Sequence, residues 1–103
     1  MKIKGVANRY GVNESTLRYY EKEGLIGPIN RINGIRTFSE EDIERLELII
    51  FLRSSDVTIE DLKIIFKKET NKDEKEQILS KIKSDLIKKV DIINQTIKKI
   101  DLL

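Results

Sequence analysis

The sequence contains no cysteine, no histidine and no tryptophan, and only one of its 103 residues is proline. Without cysteine the chain forms neither a disulfide nor a thiolate metal site. Without histidine it lacks the commonest general base, the commonest metal ligand and the usual pH-sensitive group. Thiolate metal sensing, iron–sulfur clusters and imidazole ligation are therefore excluded. We expect no metal site and no cofactor.

Two features of enzymes are also missing from the sequence. It has no glycine-rich phosphate loop, and its carboxylates and amines are scattered over predicted helix surfaces with no nucleophile beside a base. We therefore predict no catalytic residue and no enzymatic activity.

Long apolar runs are absent as well. No stretch approaches the roughly 20 apolar residues of a membrane span, and the N-terminal MKIKGVANRYG lacks the apolar run of a signal peptide. We expect a cytoplasmic protein with no membrane partner. Hydrophobic residues make up 39% of the chain and charged residues 37%, so its own core must be thin. A chain this small often gains stability by burying apolar surface against a partner chain.

The charge is unevenly distributed along the chain. Residues 1–38 carry seven Lys or Arg against three Glu, a net charge of +4, whereas residues 39–103 have a net charge of −2. A polyanion would dock on the N-terminal part.

Two short helices joined by a tight turn are predicted at the N-terminus. Apolar residues recur at helical spacing over residues 3–10, and Gly11 suits a helix C-terminus. Asn13 is a good N-cap for a second helix that runs to about Lys22, before Gly24. This pattern is typical of a helix-turn-helix.

A β-hairpin follows the two helices. Pro28 forbids a helix interior, and Asn33-Gly34 favours a type I′ turn between residues 29–32 and 35–38. A two-stranded ribbon is not stable alone and must pack against the helices, as a wing does. Its exposed face would present two arginines, Arg31 and Arg36.

Ser39 and Thr58 are predicted to cap two further helices, and one long helix runs from about Asp73 to the end of the sequence. Its apolar residues follow a near-heptad spacing with a stutter. A core of about 70 residues cannot cover such a helix, so we expect a second copy to cover it; the alternative is that it folds back on its own domain. The predicted dimer-interface residues are Ile78, Ile82, Leu86, Val90, Ile93, Ile97 and Ile100.

The segment STLRYYEKEGLI at residues 15–26, followed by RINGIRTFSEED at 31–42, resembles the MerR family of bacterial transcriptional regulators. The resemblance covers residues 1 to about 68. It implies a mainly helical fold, with a winged helix-turn-helix domain over residues 1–70 and a dimerisation helix over 71–103 that forms an antiparallel coiled coil. Within the first domain we expect a helix-turn-helix at about 3–23, a wing at about 27–38, and helices at about 39–55 and 58–68.

The sequence departs from the family pattern at several positions. Lys2 stands where a Thr or Ser usually caps the first helix, and Gly5 stands in place of an acid, at a cost of ~1 kcal/mol against Ala. We therefore expect the first helix to begin late or to fray. Ile35 replaces the usual aromatic residue after Asn-Gly, and Phe38 replaces a common Tyr.

The resemblance also implies a function. Members bind pseudo-palindromic promoter DNA as homodimers, and many bend and untwist the promoter spacer so that RNA polymerase can use it. The expected partners are therefore double-stranded promoter DNA and a second copy, with RNA polymerase as a further candidate. The sequence leaves three possibilities for a small-molecule effector. The protein binds none, a pocket between the coil and the DNA-binding lobes holds one, or an effector domain lies beyond this sequence.

The predicted DNA contacts come from the second helix and the wing. Arg18 is expected to read a base, while Lys22 and the wing arginines contact phosphates. Three alternatives stay open: Arg18 pairs with a glutamate of its own helix, one of the two adjacent tyrosines packs in the core, and Arg31 is only solvated. The full predicted set is Ser15, Thr16, Arg18, Tyr19, Tyr20, Lys22, Arg31, Asn33 and Arg36.

Two other functions remain alternatives at this point. An architectural or excisionase-like protein of a mobile element can share the winged fold, although it does not require a long coil. A protein-interaction module that has lost DNA binding is the other. The arginine and tyrosine side chains of the second helix and wing favour the regulator, which a salt-dependent gel shift would distinguish.

Overall fold

The computed structural model describes all 103 residues and has five helices and one hairpin. It confirms the predicted mainly helical fold with a small wing and a long C-terminal helix. The elements are α1 (Ile3–Tyr10), α2 (Glu14–Lys22), β1 (Asn30–Ile32), β2 (Ile35–Thr37), α3 (Glu40–Ser54), α4 (Ile59–Phe66) and α5 (Lys72–Asp101).

Helix α1 begins at Ile3 although Lys2 provides no side-chain cap. The expectation that this helix begins late or frays is wrong, because the wing strand holds its start. The Met1 amino group donates to the Phe38 carbonyl at 2.9 Å, and the Phe38 amide donates to the Met1 carbonyl at 2.7 Å. Backbone pairing thus holds the chain just before the helix, although no side-chain cap is present.

The turn between α1 and α2 depends on Gly11. This residue adopts the left-handed conformation with φ 64°, and the next amide, that of Val12, donates to the Ala7 carbonyl. Asn13 is the N-cap residue of α2 as predicted, but its side chain makes no capping hydrogen bond. The turn therefore owes its geometry to glycine rather than to a cap.

The hairpin forms the predicted type I′ turn, with φ 53° at Asn33 and 78° at Gly34. Strands β1 and β2 are antiparallel, and each is three residues long. The ribbon is anchored at Ile29 and Phe38, just outside its strands, where both side chains are buried in the core.

The predicted caps of α3 and α4 are present. Ser39 and Asp42 form a complete capping box, in which each side chain accepts a hydrogen bond from the other residue's amide. Thr58 accepts from the Asp61 amide at 3.1 Å. These caps fix the residue at which each helix begins.

The core lies where α1, α2, α3 and α4 meet the ends of the wing. Its most enclosed side chains include Val6, Leu17, Leu25, Leu46, Ile49 and Leu62. Helix α5 contributes no fully buried residue, and the molecule is elongated, with extents of 60 × 36 × 20 Å. No helix combines the length and apolar character needed to cross a membrane.

Candidate nucleic-acid interface

Helix α2 presents a polar face to solvent while Leu17 and Tyr20 anchor its other face in the core. Ser15 and Arg18 are exposed on this outer face. Arg18 forms no ion pair and no hydrogen bond within the chain, so the alternative in which it pairs with Glu14 or Glu21 is not the arrangement observed. Its guanidinium is free to bind an external acceptor.

The two adjacent tyrosines have different environments. Tyr20 is 7% exposed and belongs to the core, whereas Tyr19 is 43% exposed on the surface. Their rings lie 6.3 Å apart at 52°. One tyrosine in the core is the arrangement that the sequence left open, and Tyr19 is the more exposed of the two predicted DNA contacts. A hydroxyl at this position can donate to a phosphate.

The other predicted residues lie around this face. Lys22 is exposed at the end of α2, and Thr16 is half-buried in its first turn. Arg31 is exposed on β1, and Asn33 is exposed at the hairpin tip.

The wing places two arginines directly opposite each other, because Arg31 pairs with Arg36 in the antiparallel register. Directly opposite residues lie on the same face of a ribbon, and like charges there are destabilising. A carboxylate on α2 neutralises one of these two positive charges. The Arg36 Nε donates to the Glu21 Oε1 at 2.6 Å, while Arg31 has no ion-pair partner in the chain. The ribbon therefore keeps an uncompensated positive charge at Arg31.

Glu21 joins α2 to the wing through both of its carboxylate oxygens. Oε1 accepts from Arg36, and Oε2 accepts from the Ile29 backbone amide at 2.8 Å. Neither end of the ion pair is well exposed, at 16% for the Glu21 side chain and 21% for Arg36. Glu21 thereby fixes the orientation of Arg36 and the distance between the wing and α2.

Gly27 permits this close approach. Its φ of +79° is in the left-handed region, and a Cβ added there would lie 2.7 Å from the Ile29 nitrogen and 3.3 Å from the Glu21 Cγ. A side chain at this position would therefore push apart the amide and the carboxylate that it donates to.

Burial raises the pKa of Glu21, but the hydrogen bonds from Arg36 and Ile29 and the charges of Arg36 and Arg31 outweigh it. The pKa therefore lies below its ordinary value of 4.5. Since the folded-state pKa is the lower one, the ionised carboxylate stabilises the folded chain fully above about pH 4.5, and this contribution is lost as the pH falls further.

We expect Glu21→Gln to lower the free energy of unfolding at neutral pH by about 1–2 kcal/mol, because it removes a charge-assisted hydrogen bond from a shielded ion pair. The loss should shrink below about pH 4.5, where Glu21 of the wild type takes up a proton first in the unfolded chain and, at lower pH, in the folded chain. Chemical denaturation between pH 3 and pH 7 checks this. Glu14→Gln, at a half-buried glutamate of the same helix without an ion pair, is the control. A constant difference between wild type and Glu21→Gln at all pH values would contradict it.

A second ion pair ties the end of α2 to α4. The Lys63 Nζ lies 2.6 Å from the Glu23 Oε2, and this hydrogen bond lowers the pKa of Glu23 and raises that of Lys63. The Glu21–Arg36 ion pair thus joins α2 to the wing, and the Glu23–Lys63 ion pair joins the end of α2 to α4. The interface helix is thus fixed on the lobe before any ligand binds.

The predicted dimer-interface residues fall into two groups. Ile78, Ile82 and Leu86 are half-buried, and Ile82 packs against the core of the chain's own lobe. Leu86 lines a small cavity with Ile82 and Val57 at the α3–α4 turn. The first half of α5 thus packs partly on its own lobe, and these three residues remain predicted interface residues.

The second group consists of exposed residues that the lobe leaves uncovered. Their exposed fractions are 55% for Val90, 57% for Ile93, 52% for Ile97 and 60% for Ile100. They lie one helical turn apart on a single stripe. The sequence could not show where the lobe ends and this stripe begins.

Glu21 is the functional residue that the sequence did not reveal. The sequence indicates it only as an alternative partner of Arg18 on the same helix, whereas its actual partner Arg36 is 15 residues away. The signal present in the sequence was the pair of opposed arginines in the hairpin, a charge pattern that calls for a nearby acid.

Two short helices joined by a tight turn at Gly11, a basic ribbon fixed against them and a long protruding helix define a winged helix-turn-helix protein. Residues 1–69 match the family model described as the MerR HTH family regulatory protein. The chain belongs to this family, which confirms the resemblance drawn from the sequence.

Individual relatives are similar over different lengths. The chain is 46% identical over 63 residues to the HTH-type transcriptional regulator AdhR of Bacillus subtilis, covering 60% of this chain and 45% of AdhR. It thus spans less than half of that relative's length. A MerR family protein from Listeria monocytogenes superposes with a TM-score of 0.81 at 28% identity, covering 99% of this chain and 81% of that one.

A further similar structure is HiNmlR, a MerR family regulator lacking the sensor domain, bound to promoter DNA. It superposes with a TM-score of 0.77 at 22% identity, covering 99% of this chain and 86% of that one. At this identity the likeness concerns the fold, including the long C-terminal helix.

Proposed function

We propose that the chain is a transcriptional regulator that binds pseudo-palindromic promoter DNA as a homodimer, with α2 in the major groove. The observation that carries this proposal is the free guanidinium of Arg18 on the exposed face of a helix anchored in the core. Arginine is the commonest reader of guanine in the major groove. Ser15, Tyr19 and Lys22 surround it with further donors.

The wing supplies the second contact in this proposal. Arg31 carries an uncompensated charge, and Arg36 uses only its Nε for Glu21, so its terminal nitrogens make no hydrogen bond in the chain. Both arginines can bind phosphates beside the half-site. Such contacts set the register of the protein on the duplex while α2 selects the sequence.

The exposed stripe of α5 supports a two-fold dimer. Val90 and Ile100 lie at equal distances along the chain from Gln95, as do Ile93 and Ile97. Two antiparallel copies centred on Gln95 therefore match Val90 with Ile100 and Ile93 with Ile97. A two-fold interface requires a surface that is complementary to itself, and this stripe meets that requirement.

The proposed action of the chain on promoter DNA is supported by its membership of the MerR family. Members of the MerR family include HiNmlR, which is bound to promoter DNA. We propose that this chain likewise holds two half-sites at a fixed separation, and that it bends or untwists the DNA between them to control RNA polymerase. It acts by binding rather than by catalysis, in the cytoplasm of a bacterium.

Selection from a library of random duplex DNA tests this function. We expect an inverted repeat whose half-sites are separated by one helical turn or a multiple of it. Binding should weaken steeply with salt, with a slope of about −0.9 per phosphate contacted in a plot of log K against log salt. Recovery of unrelated sequences, or of a single unrepeated half-site, would contradict the proposal.

A further inference from the structure

The tip of the wing carries an exposed apolar pair. Ile32 ends β1, Ile35 begins β2, and the two residues lie directly opposite each other in the ribbon. Ile32 is 60% exposed and Ile35 is 43% exposed, so much of each side chain is open to solvent. Two aliphatic side chains side by side form a small apolar surface, which gains free energy when a partner covers it.

The tip stands clear of the lobe that anchors the ribbon. The buried anchors, Ile29 and Phe38, lie three residues before the tip on each side of the hairpin. At a rise of ~3.3 Å per residue, the tip therefore protrudes about 10 Å beyond them. A two-residue turn at Asn33-Gly34 closes the ribbon, so the protruding end is narrow.

The two faces of the ribbon differ in their chemistry. Side chains alternate between the faces along a strand, so Arg31 and Arg36 share one face and the isoleucine pair shares the other. The arginine face is turned toward α2, because Arg36 donates a hydrogen bond to Glu21 of that helix. The isoleucine face is therefore turned away from α2.

Double-stranded DNA presents matching surfaces in the same order. A helix in the major groove lies beside a sugar–phosphate strand, and beyond that strand lies the minor groove, which is ~6 Å wide. Phosphates of this strand meet the arginine face between α2 and the ribbon. The tip then reaches the minor groove, where the sugar faces of the walls are apolar. Apolar side chains combined with arginine are a common way of binding this groove.

The floor of the minor groove differs between base pairs. A·T and T·A pairs present only acceptors there, whereas a G·C pair adds the exocyclic amino group of guanine. An isoleucine side chain offers this amino group no acceptor, so covering it removes its water without replacing the hydrogen bond. An apolar tip therefore fits A·T pairs better than G·C pairs.

We propose that Ile32 and Ile35 enter the minor groove beside each half-site and select A·T base pairs there. The inference rests on the proposed placement of α2 in the major groove. It adds a second point of sequence selection, which acts by exclusion of the guanine amino group rather than by hydrogen bonding. Both wings of a dimer make this selection, so a short A·T segment accompanies each half-site.

Inosine in a synthetic operator tests the selection, because it lacks only the minor-groove amino group of guanine. The operator recovered from random duplexes is prepared with A·T, G·C or inosine·C pairs in the half-turn next to both half-sites, outside them in one set and inside them in another. We expect G·C to bind about 10-fold more weakly than A·T, and inosine·C to bind like A·T. Only one set should respond, since the ribbon lies on one side of α2.

The double variant Ile32→Thr and Ile35→Thr connects this preference to the tip. Threonine keeps the branched shape that suits a strand, so we expect the melting temperature of the chain to stay the same. Affinity for the A·T operator should fall about 10-fold, and the preference over G·C should disappear. Ile92→Thr, the same change at a 61% exposed isoleucine of α5, should retain both.

The possible failures are distinguishable. If G·C and inosine·C operators bind alike in both sets, the tip does not select base pairs and the proposed regulator remains intact. If the double variant keeps the full A·T preference, the wing arginines respond to a narrow groove and the isoleucines do not read it, which also overturns the inference. A chain that recovers no inverted repeat overturns both proposals.

Discussion

Replacing Ile93 by lysine is expected to convert the proposed homodimer into a monomer at micromolar concentration. Ile93 is 57% exposed in the single chain and lies at the centre of the α5 stripe. In the two-fold dimer each substitution would place an ammonium group against the partner's apolar stripe without a counter-charge. Desolvating an unpaired charge costs several kcal/mol, so the dimer dissociation constant should rise by a factor of ~10²–10³. Sedimentation equilibrium measures it.

The adjacent residue provides a matched control for this prediction. Ile92 is 61% exposed, is the same residue type and is on the same helix, but it points about 100° away from Ile93. Ile92→Lys should therefore leave the dimer intact. If Ile92→Lys dissociates the dimer and Ile93→Lys does not, the interface lies on another face of α5.

Loss of the dimer should also reduce DNA binding. A monomer engages one half-site and forfeits the effective concentration that the coil gives to the second half-site. Operator affinity of Ile93→Lys should therefore fall by a factor of ~100 or more, while its affinity for an isolated half-site stays close to that of the natural chain.

The parts of the fold that sequence could predict are those fixed by short-range chemistry. The Asn33-Gly34 turn requires positive φ at both positions, and few residue pairs other than Asn-Gly adopt it readily. Ser39 and Thr58 each cap a helix through an amide three residues later, so the cap and its partner occur together in the sequence. Such features need no knowledge of the rest of the chain.

The parts that sequence did not predict depend on distant neighbours. Helix α1 starts cleanly because Met1 pairs with Phe38, which is 37 residues away. Glu21 orients the wing because the hairpin brings Arg36 back to α2. The apolar seam of α5 runs along the whole helix, with a stutter in its spacing, yet the lobe covers only its first half, where α4 and the α3–α4 turn lie beside it. Periodicity records which face is apolar but not what covers it.

Arg18→Ala should weaken binding to the specific operator by ~1–3 kcal/mol, or about 5- to 150-fold, the value of a good base contact in the major groove. Because Arg18 is exposed and forms no ion pair or hydrogen bond in the chain, its removal should change the melting temperature little. Fluorescence anisotropy with operator and with unrelated duplex measures both affinities. The loss should be larger on the operator, since a base contact contributes to specificity as well as affinity.

Lys22→Ala on the same helix distinguishes reading of a base from attraction by charge. Lys22 is exposed like Arg18 and carries the same charge. As a phosphate contact, it should weaken operator and unrelated DNA equally and reduce the salt slope by about 1. Arg18→Lys keeps the charge but loses the two-pronged geometry, so it should behave like Arg18→Ala on the operator. If Arg18→Lys instead restores full operator affinity, Arg18 contacts a phosphate, and sequence selection must come from Ser15, Thr16 or Tyr19.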